Sequence, residues 1–137
     1  MAAAPLITPA IVLGSLRYGE TSRIVRLATR DVGVLSAIAK GALRPKSRFG
    51  AALQLLSEGQ AHLIASRSSD LHTLVAFDLT ATHAGLASNL ERFASGSALA
   101  EVAARFLPPV ANPECFDELR HDIALISDAI ASRVDEV

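Results

Sequence analysis

The hydrophobic period of this chain changes once, near residue 83, and that change restricts the fold to a strand-rich part followed by helix. Before it, Ile11-Val12-Leu13, Ile24-Val25-Arg26-Leu27 and Val34-Leu35-Ser36-Ala37-Ile38 are short β-branched runs, the residues that fit a pleated, half-buried surface. Turn-forming stretches separate them: Arg17-Tyr18-Gly19-Glu20-Thr21-Ser22, then Thr29-Arg30-Asp31-Val32-Gly33. The second has the length of a hairpin in which Gly33 supplies a positive φ. A longer excursion follows from Lys40 to Gly50. Two more strand-like segments, Leu55 to Ala65 and Leu71 to Thr82, flank the polar turn Ser66-Arg67-Ser68-Ser69-Asp70. Five short strands at regular spacing predict a small closed or half-closed barrel over roughly residues 5–83.

Beyond His83 the apolar residues recur at three- and four-residue steps, the spacing of one helix face. Leu86, Leu90 and Phe93 lead into Leu99, Val102, Ala103 and Phe106, with Gly96 as a weak point and Pro108-Pro109 as a stop. Asn112 before Pro113 reads as an N-cap with proline at the first helical position, and Glu114 suits the first turn. Phe116, Leu119, Ile123, Ile126 and Ile130 continue as an apolar stripe. The expected organisation is a barrel at 1–83 and an α-helical segment at 84–137.

Composition narrows the class. Half of the residues are apolar and 20% are charged, the profile of a globular protein with a core. With no Trp and 4% aromatics, that core must be mostly aliphatic. Pro5 and Pro9 break the N-terminal apolar run, no basic residue leads it, and no stretch approaches the ~20 apolar residues of a membrane span. The single cysteine, Cys115, rules out an internal disulfide framework and suits a reducing cytosol. A cytoplasmic protein with no membrane attachment is expected.

Charge is divided unevenly along the chain. Residues 1–69 hold nine Lys/Arg against three Asp/Glu, a net charge of +6. Residues 70–137 hold four against eleven, a net charge of −7, and the halves sum to −1. Such asymmetry suggests that one half meets polyanions and the other does not. Within the 32 residues from Arg17 to Arg48 lie Arg17, Arg23, Arg26, Arg30, Lys40, Arg44, Lys46 and Arg48, opposed only by Glu20 and Asp31. Clustered cations bind a phosphate backbone by neutralising it and releasing its counterions. Tyr18 and Phe49, the aromatics nearest these cations, are the candidates for stacking on a base. Two are few for a stacking platform, so the chemistry reads as phosphate capture. The bland alternative for the same stretch is a solvated hairpin.

Tyr18-Gly19-Glu20-Thr21-Ser22-Arg23-Ile24-Val25 resembles the opening signature of the RecO family of recombination and repair proteins. Thr29-Arg30, Gly33, the run Ala39-Lys40-Gly41-Ala42-Leu43-Arg44-Pro45-Lys46-Ser47-Arg48-Phe49-Gly50, and Leu53-Gln54 follow in the family's order. A looser likeness continues through Leu99–Pro108 and Phe116-Asp117-Glu118-Leu119. The resemblance implies a five-stranded OB-fold barrel followed by helices. It also implies binding of single- and double-stranded DNA, annealing of strands coated with single-strand-binding protein, and loading of the RecA recombinase together with RecR. The expected nucleic-acid-binding residues are Arg17, Arg23, Arg26, Lys40, Arg44, Lys46 and Arg48. Members usually continue through a larger helical domain that often carries a Cys-rich zinc site. Nothing here corresponds to it, so a truncated chain or partial gene product is expected. Contact with single-strand-binding protein is then expected through the missing part.

Other chemistries find little in the sequence. His62, His72, His83 and His121 are scattered, so neither a metal nor any other cofactor is expected in this chain; His62 and His72 are candidates to face each other across a hairpin. No phosphate-binding glycine loop, dinucleotide fingerprint or nucleophile elbow is present, and neither catalysis nor a small-molecule substrate is expected. The competing reading is a protein-interaction module whose Phe116–Ile130 face docks a partner.

Overall fold

A computed structural model describes residues 5–49, 52–66, 70–81, Ala98, Ala100 and 111–135, the last ten of these by backbone alone. Five strands close into a barrel: β1 (Leu6–Tyr18), β2 (Ser22–Thr29), β3 (Gly33–Ala39), β4 (Glu58–Ile64) and β5 (Leu71–Ala81), in the order β1-β2-β3-β5-β4. All pairings are antiparallel except β3 with β5. Closure gives each of the five described strands a neighbour on both sides. The thirteen-residue β1 serves two partners, pairing β4 through Leu6–Ile11 and β2 through Ala10–Tyr18, with a bulge between Val12 and Gly14. It is therefore far longer than its β-branched centre, and Arg17 and Tyr18, expected in a turn, end the strand. Pro9 is tolerated within it, and its carbonyl accepts the Arg30 backbone N–H at 2.9 Å. Gly33 takes φ 88° at the β2–β3 turn, as its hairpin role requires.

Alternation sorts the strand residues between two faces. Ala10, Val12, Val25, Leu27, Leu35, Ala37, Leu63, Leu74 and Phe77 fill the barrel. The link from β3 to β4, residues 40–57, closes the barrel by adding Phe49, Ala52 and Leu53 to that core. Leu55-Leu56-Ser57, expected to open the fourth strand, belong to this link. Leu56 has a φ of 63°, its N–H donates to the Val12 carbonyl at 2.7 Å, and the Val12 N–H donates to the Ser57 carbonyl at 3.0 Å. The link is thus stitched into the β1 bulge, and the pairing holds Leu56 in a conformation that costs an L-residue roughly 1–2 kcal/mol.

Helix α1 (Pro113–Asp135) lies on the outside of the barrel. Asn112 caps it: its Oδ1 accepts the Cys115 N–H at 3.2 Å and its carbonyl the Phe116 N–H at 3.1 Å. Phe116, Leu119 and Ile123 pack with Ala100 against Ile11, Leu13, Ala28, Val34 and Leu56. The first half of the expected docking stripe is therefore core. Ion pairs border the contact, Arg30–Asp117 at 3.5 Å and Arg120–Glu58 at 3.3 Å. Ala98 and Ala100 are helical; the rest of the expected helical stretch from Leu86 to Phe106, with Pro108-Pro109, lies outside the described residues, as do the side chains of Ile126 and Ile130.

Candidate nucleic-acid interface

The β1–β2 hairpin and the start of the β3–β4 link meet at one end of the barrel. The Leu43 N–H donates to the Thr21 carbonyl at 2.8 Å, and the Gly41 N–H to Ser22 Oγ at 3.4 Å. Gly41 has φ 73°, which lets the chain turn sharply as it leaves β3. Two further turns, Arg44 N–H to Gly41 carbonyl and Ser47 N–H to Arg44 carbonyl, both at 3.0 Å, coil the link, and Phe49 anchors it in the core. The sequence thus sets Lys40, Arg44 and Lys46 on a backbone pinned at both ends, beside the hairpin that carries Arg17 and Arg23.

The basic side chains differ in what they touch. Arg17 donates to the Gly19 carbonyl at 3.4 Å and the Glu20 carbonyl at 3.3 Å, folding back over its own turn. Arg23 donates to Ser15 Oγ at 2.6 Å; it is held by this hydroxyl across the β1–β2 pair. Arg48 reaches the Val75 carbonyl on β5 at 3.3 Å. Arg26 is exposed at mid-sheet and already engaged. Lys40, Arg44 and Lys46 are exposed, and no side-chain hydrogen bond or ion pair holds them among the described residues. Arg30, at the far end of β2, is paired with Asp117.

Of the two aromatics expected to stack, only Tyr18 offers a face: it is 53% exposed, whereas Phe49 is 4% exposed and plugs the barrel. Nor do His62 and His72 face each other. His62 lies opposite Ala76 and bonds Asp78 Oδ2 through Nε2 at 2.8 Å, while His72 lies beside Ala37 on β3. The residue opposite His62 lies four positions beyond His72 along β5. Among the described residues no three His, Cys, Asp or Glu side chains gather as metal ligands, and no helix is long and apolar enough to cross a membrane.

Sequence reading missed the outer surface of the sheet. Register aligns Leu16, Ile24, Ile38 and Thr73 in one row across β1, β2, β3 and β5, and Gly14, Arg26, Ser36 and Leu71 in the next. Leu16 is 62% exposed. At the β3–β5 seam a groove of about 680 Å³ is lined by Arg26, Ser36, Asp70, Leu71 and His72, with Leu35 and Val34 at its wall. The period-2 signal in β2 and β3 was there to read, because Ile24 and Ile38 alternate with the inward Val25 and Ala37. The groove depends on a parallel pairing that spacing does not reveal.

A closed barrel in this strand order, with a long first strand shared between two partners, is an OB-fold, a barrel whose second and third strands and adjoining loops commonly bind oligonucleotides or oligosaccharides. Residues 1–83 match the family model for the N-terminal part of recombination protein O. The chain belongs to the RecO family of DNA repair and recombination proteins. It is similar to proteins named DNA repair protein RecO from three bacteria. The Heliobacterium modesticaldum protein is 36% identical over 107 residues, 78% of this chain and 38% of the relative. That of Salinibacter ruber is 51% identical over 67 residues, 49% of this chain and 26% of the relative. That of Rubrobacter xylanophilus is 39% identical over 92 residues, 67% and 36% respectively. The chain thus spans well under half the length of these relatives.

Proposed function

We propose that this chain is the DNA-binding module of a recombination mediator, capturing single- and double-stranded DNA through backbone phosphates without catalysing a chemical step. The observation that carries the reading is the set of three exposed cations, Lys40, Arg44 and Lys46, without a side-chain partner among the described residues, on the pinned link beside the arginine-bearing hairpin. Cations of this kind bind phosphate by releasing counterions, whatever the base sequence. Neutralising the phosphates of two complementary strands lowers their mutual repulsion, which is the physical content of annealing. Loading of RecA with RecR in the cytoplasm, at the nucleoid, is the assembled role that the family resemblance implies. On the same ground contact with single-strand-binding protein, and any zinc, would belong to the part of the longer family members that this chain does not match.

The competing module, an α1 face that docks a partner, has lost Phe116, Leu119 and Ile123 to the barrel. Fluorescence anisotropy with a labelled oligonucleotide across a salt series tests the reading. Neutralising about five phosphates of a single strand gives a slope of log K against log salt of roughly −3.5. A folded sample that does not bind at low salt would end the proposal and restore the docking module.

A further inference from the structure

We infer that Ser47 is a phosphorylation site for an arginine-directed, ATP-dependent serine/threonine kinase, and that a phosphate there switches off phosphate capture by the link. The inference rests on the DNA-binding reading and deepens it: cations that would take a DNA phosphate become occupied by one carried on their own chain.

Ser47 lies between Lys46 and Arg48 and three residues after Arg44. Arg44, Pro45, Lys46 and Arg48 are exposed, and Ser47 is half-buried. Its Oγ accepts the Phe49 N–H at 3.0 Å and gives its own proton to no group among the described residues. A surface hydroxyl preceded by cations complements a kinase whose substrate cleft is acidic. The segment belongs to no strand and is held by turn bonds, from the Arg44 N–H to the Gly41 carbonyl and from the Ser47 N–H to the Arg44 carbonyl. Opening it towards an enzyme therefore leaves the barrel ladders in place. Arginine three residues before a hydroxyl recurs at Thr29 and at Ser95. Thr29 is 3% exposed and donates its hydroxyl to the Gly33 carbonyl at 2.7 Å, which closes it to an enzyme; Ser95 lies outside the described residues.

In the transfer, the bond from Ser47 Oγ to the γ-phosphorus of ATP forms as the bond to the β–γ bridging oxygen breaks. ADP leaves with that electron pair, and the hydroxyl proton passes to the catalytic base of the kinase. The product carries a charge of about −1.5 to −2 at neutral pH. The turn from the Ser47 N–H to the Arg44 carbonyl holds these two residues within the ~7 Å Cα separation of a β-turn, and Lys46 and Arg48 adjoin Ser47 in the chain. Arg44 and Lys46 have no side-chain partner among the described residues, and Arg48 gives up only its 3.3 Å bond to the Val75 carbonyl. A dianion tethered among these cations meets them at an effective concentration of roughly millimolar or above, well beyond that of dilute DNA. Occupying two of them removes about 1.4 units from the slope of log K against log salt.

The experiment incubates the whole chain, and its Ser47→Ala variant, with ATP and a panel of arginine-directed serine/threonine kinases. Peptide mass spectrometry locates the phosphate, and anisotropy of labelled oligothymidylate across a salt series reads binding before and after treatment. Ser47 should take up one phosphate. The phosphoprotein should bind about twentyfold more weakly at 0.1 M salt and lose about 1.4 units of slope. A phosphatase should restore both, and the melting temperature should hold throughout. Kinase treatment should leave the binding of the Ser47→Ala variant as it was. Failure of every kinase in the panel to modify Ser47 in the folded chain would overturn the site. A phosphoprotein that binds as the parent does would overturn the switch while leaving phosphate capture intact. Weaker binding with a fall in melting temperature would also overturn it, since the phosphate would then act by unfolding the link. An unmodified parent that binds no DNA at low salt would instead sink the DNA-binding reading, and this inference with it.

Discussion

Replacing Lys40, Arg44 and Lys46 together by alanine should reduce both the affinity for single-stranded DNA and its dependence on salt, by amounts that follow from their exposure. Because none of the three is held by a partner among the described residues, each is available to one phosphate. Each phosphate neutralised on a single strand contributes about −0.7 to the slope of log K against log salt. The triple variant should therefore lose about 2 units of slope. Counted from a 1 M reference, that is about two decades of affinity at 0.1 M salt and about one decade at 0.3 M, or close to 3 kcal/mol at the lower salt. Anisotropy at four or five salt concentrations reads both quantities. The melting temperature should barely move, since the link is held by backbone bonds from Leu43 to Thr21 and by buried Phe49. Arg30→Ala is the control, because that side chain lies at the opposite end of β2 and is paired with Asp117; its slope should match the parent. A folded triple variant with an unchanged slope would refute the assignment of these cations. Lost affinity with the slope retained would show that they act by shaping the link, and the counterion argument would fail.

Three further substitutions test the architecture that carries the site. Gly59→Ala should destabilise the chain by roughly 1–3 kcal/mol in chemical denaturation, because an added Cβ would stand 2.5 Å from the Asp78 carbonyl oxygen and 2.6 Å from Phe77 Cε1. Ile123→Ala, on the barrel-facing side of α1 and 0% exposed, should cost about 2–5 kcal/mol, again by denaturation, with little change in the salt slope of whatever folded protein remains. The Arg30–Asp117 pair, with side chains 42% and 54% exposed, should show less than about 1 kcal/mol of coupling in a double-mutant cycle, vanishing at high salt.

The parts of the fold legible in the sequence were those decided locally. β2 and β3 are β-branched runs joined by a turn that needs Gly33, and Asn112-Pro113 announces a helix start without reference to anything distant. What escaped was decided across the molecule. β1 extends over Leu6–Tyr18 because β4 and β2 take its two halves, although Pro9 and the polar Ser15 and Arg17 dilute any strand pattern. Leu55-Leu56 looks like the opening of a strand, yet a bond to Val12 fixes Leu56 at positive φ. Phe49 sits in sequence among cations and so reads as a stacking residue, but the barrel needs a plug at that end and takes the ring. In the candidate site, the identity and rough grouping of the basic residues were visible. Which of them lack partners was not, because Arg23 finds Ser15 and Arg48 finds Val75 only once the sheet is closed.

Among the described residues, the carboxylates of α1 and the cations of the link are kept apart along the barrel. β2 runs from Ser22, beside the link cations, to Thr29, next to Arg30, a distance of roughly 23 Å at strand rise. The acidic helix makes its contacts at the second end. Asp117 meets Arg30 there, and Arg120 meets Glu58, which is paired in register with Ile11 at the level of Ala28. Had α1 packed near the hairpin, its carboxylates would have stood among Lys40, Arg44 and Lys46 and competed with phosphate. At 0.1 M salt, screening extends over about 10 Å, so pairs at the far end leave the field at the near end almost untouched. A net charge of −1 is then compatible with a strongly polyanion-attracting surface. The apolar patch of α1 matters to this separation as much as any cation does, since Phe116, Leu119 and Ile123 choose the end at which α1 docks.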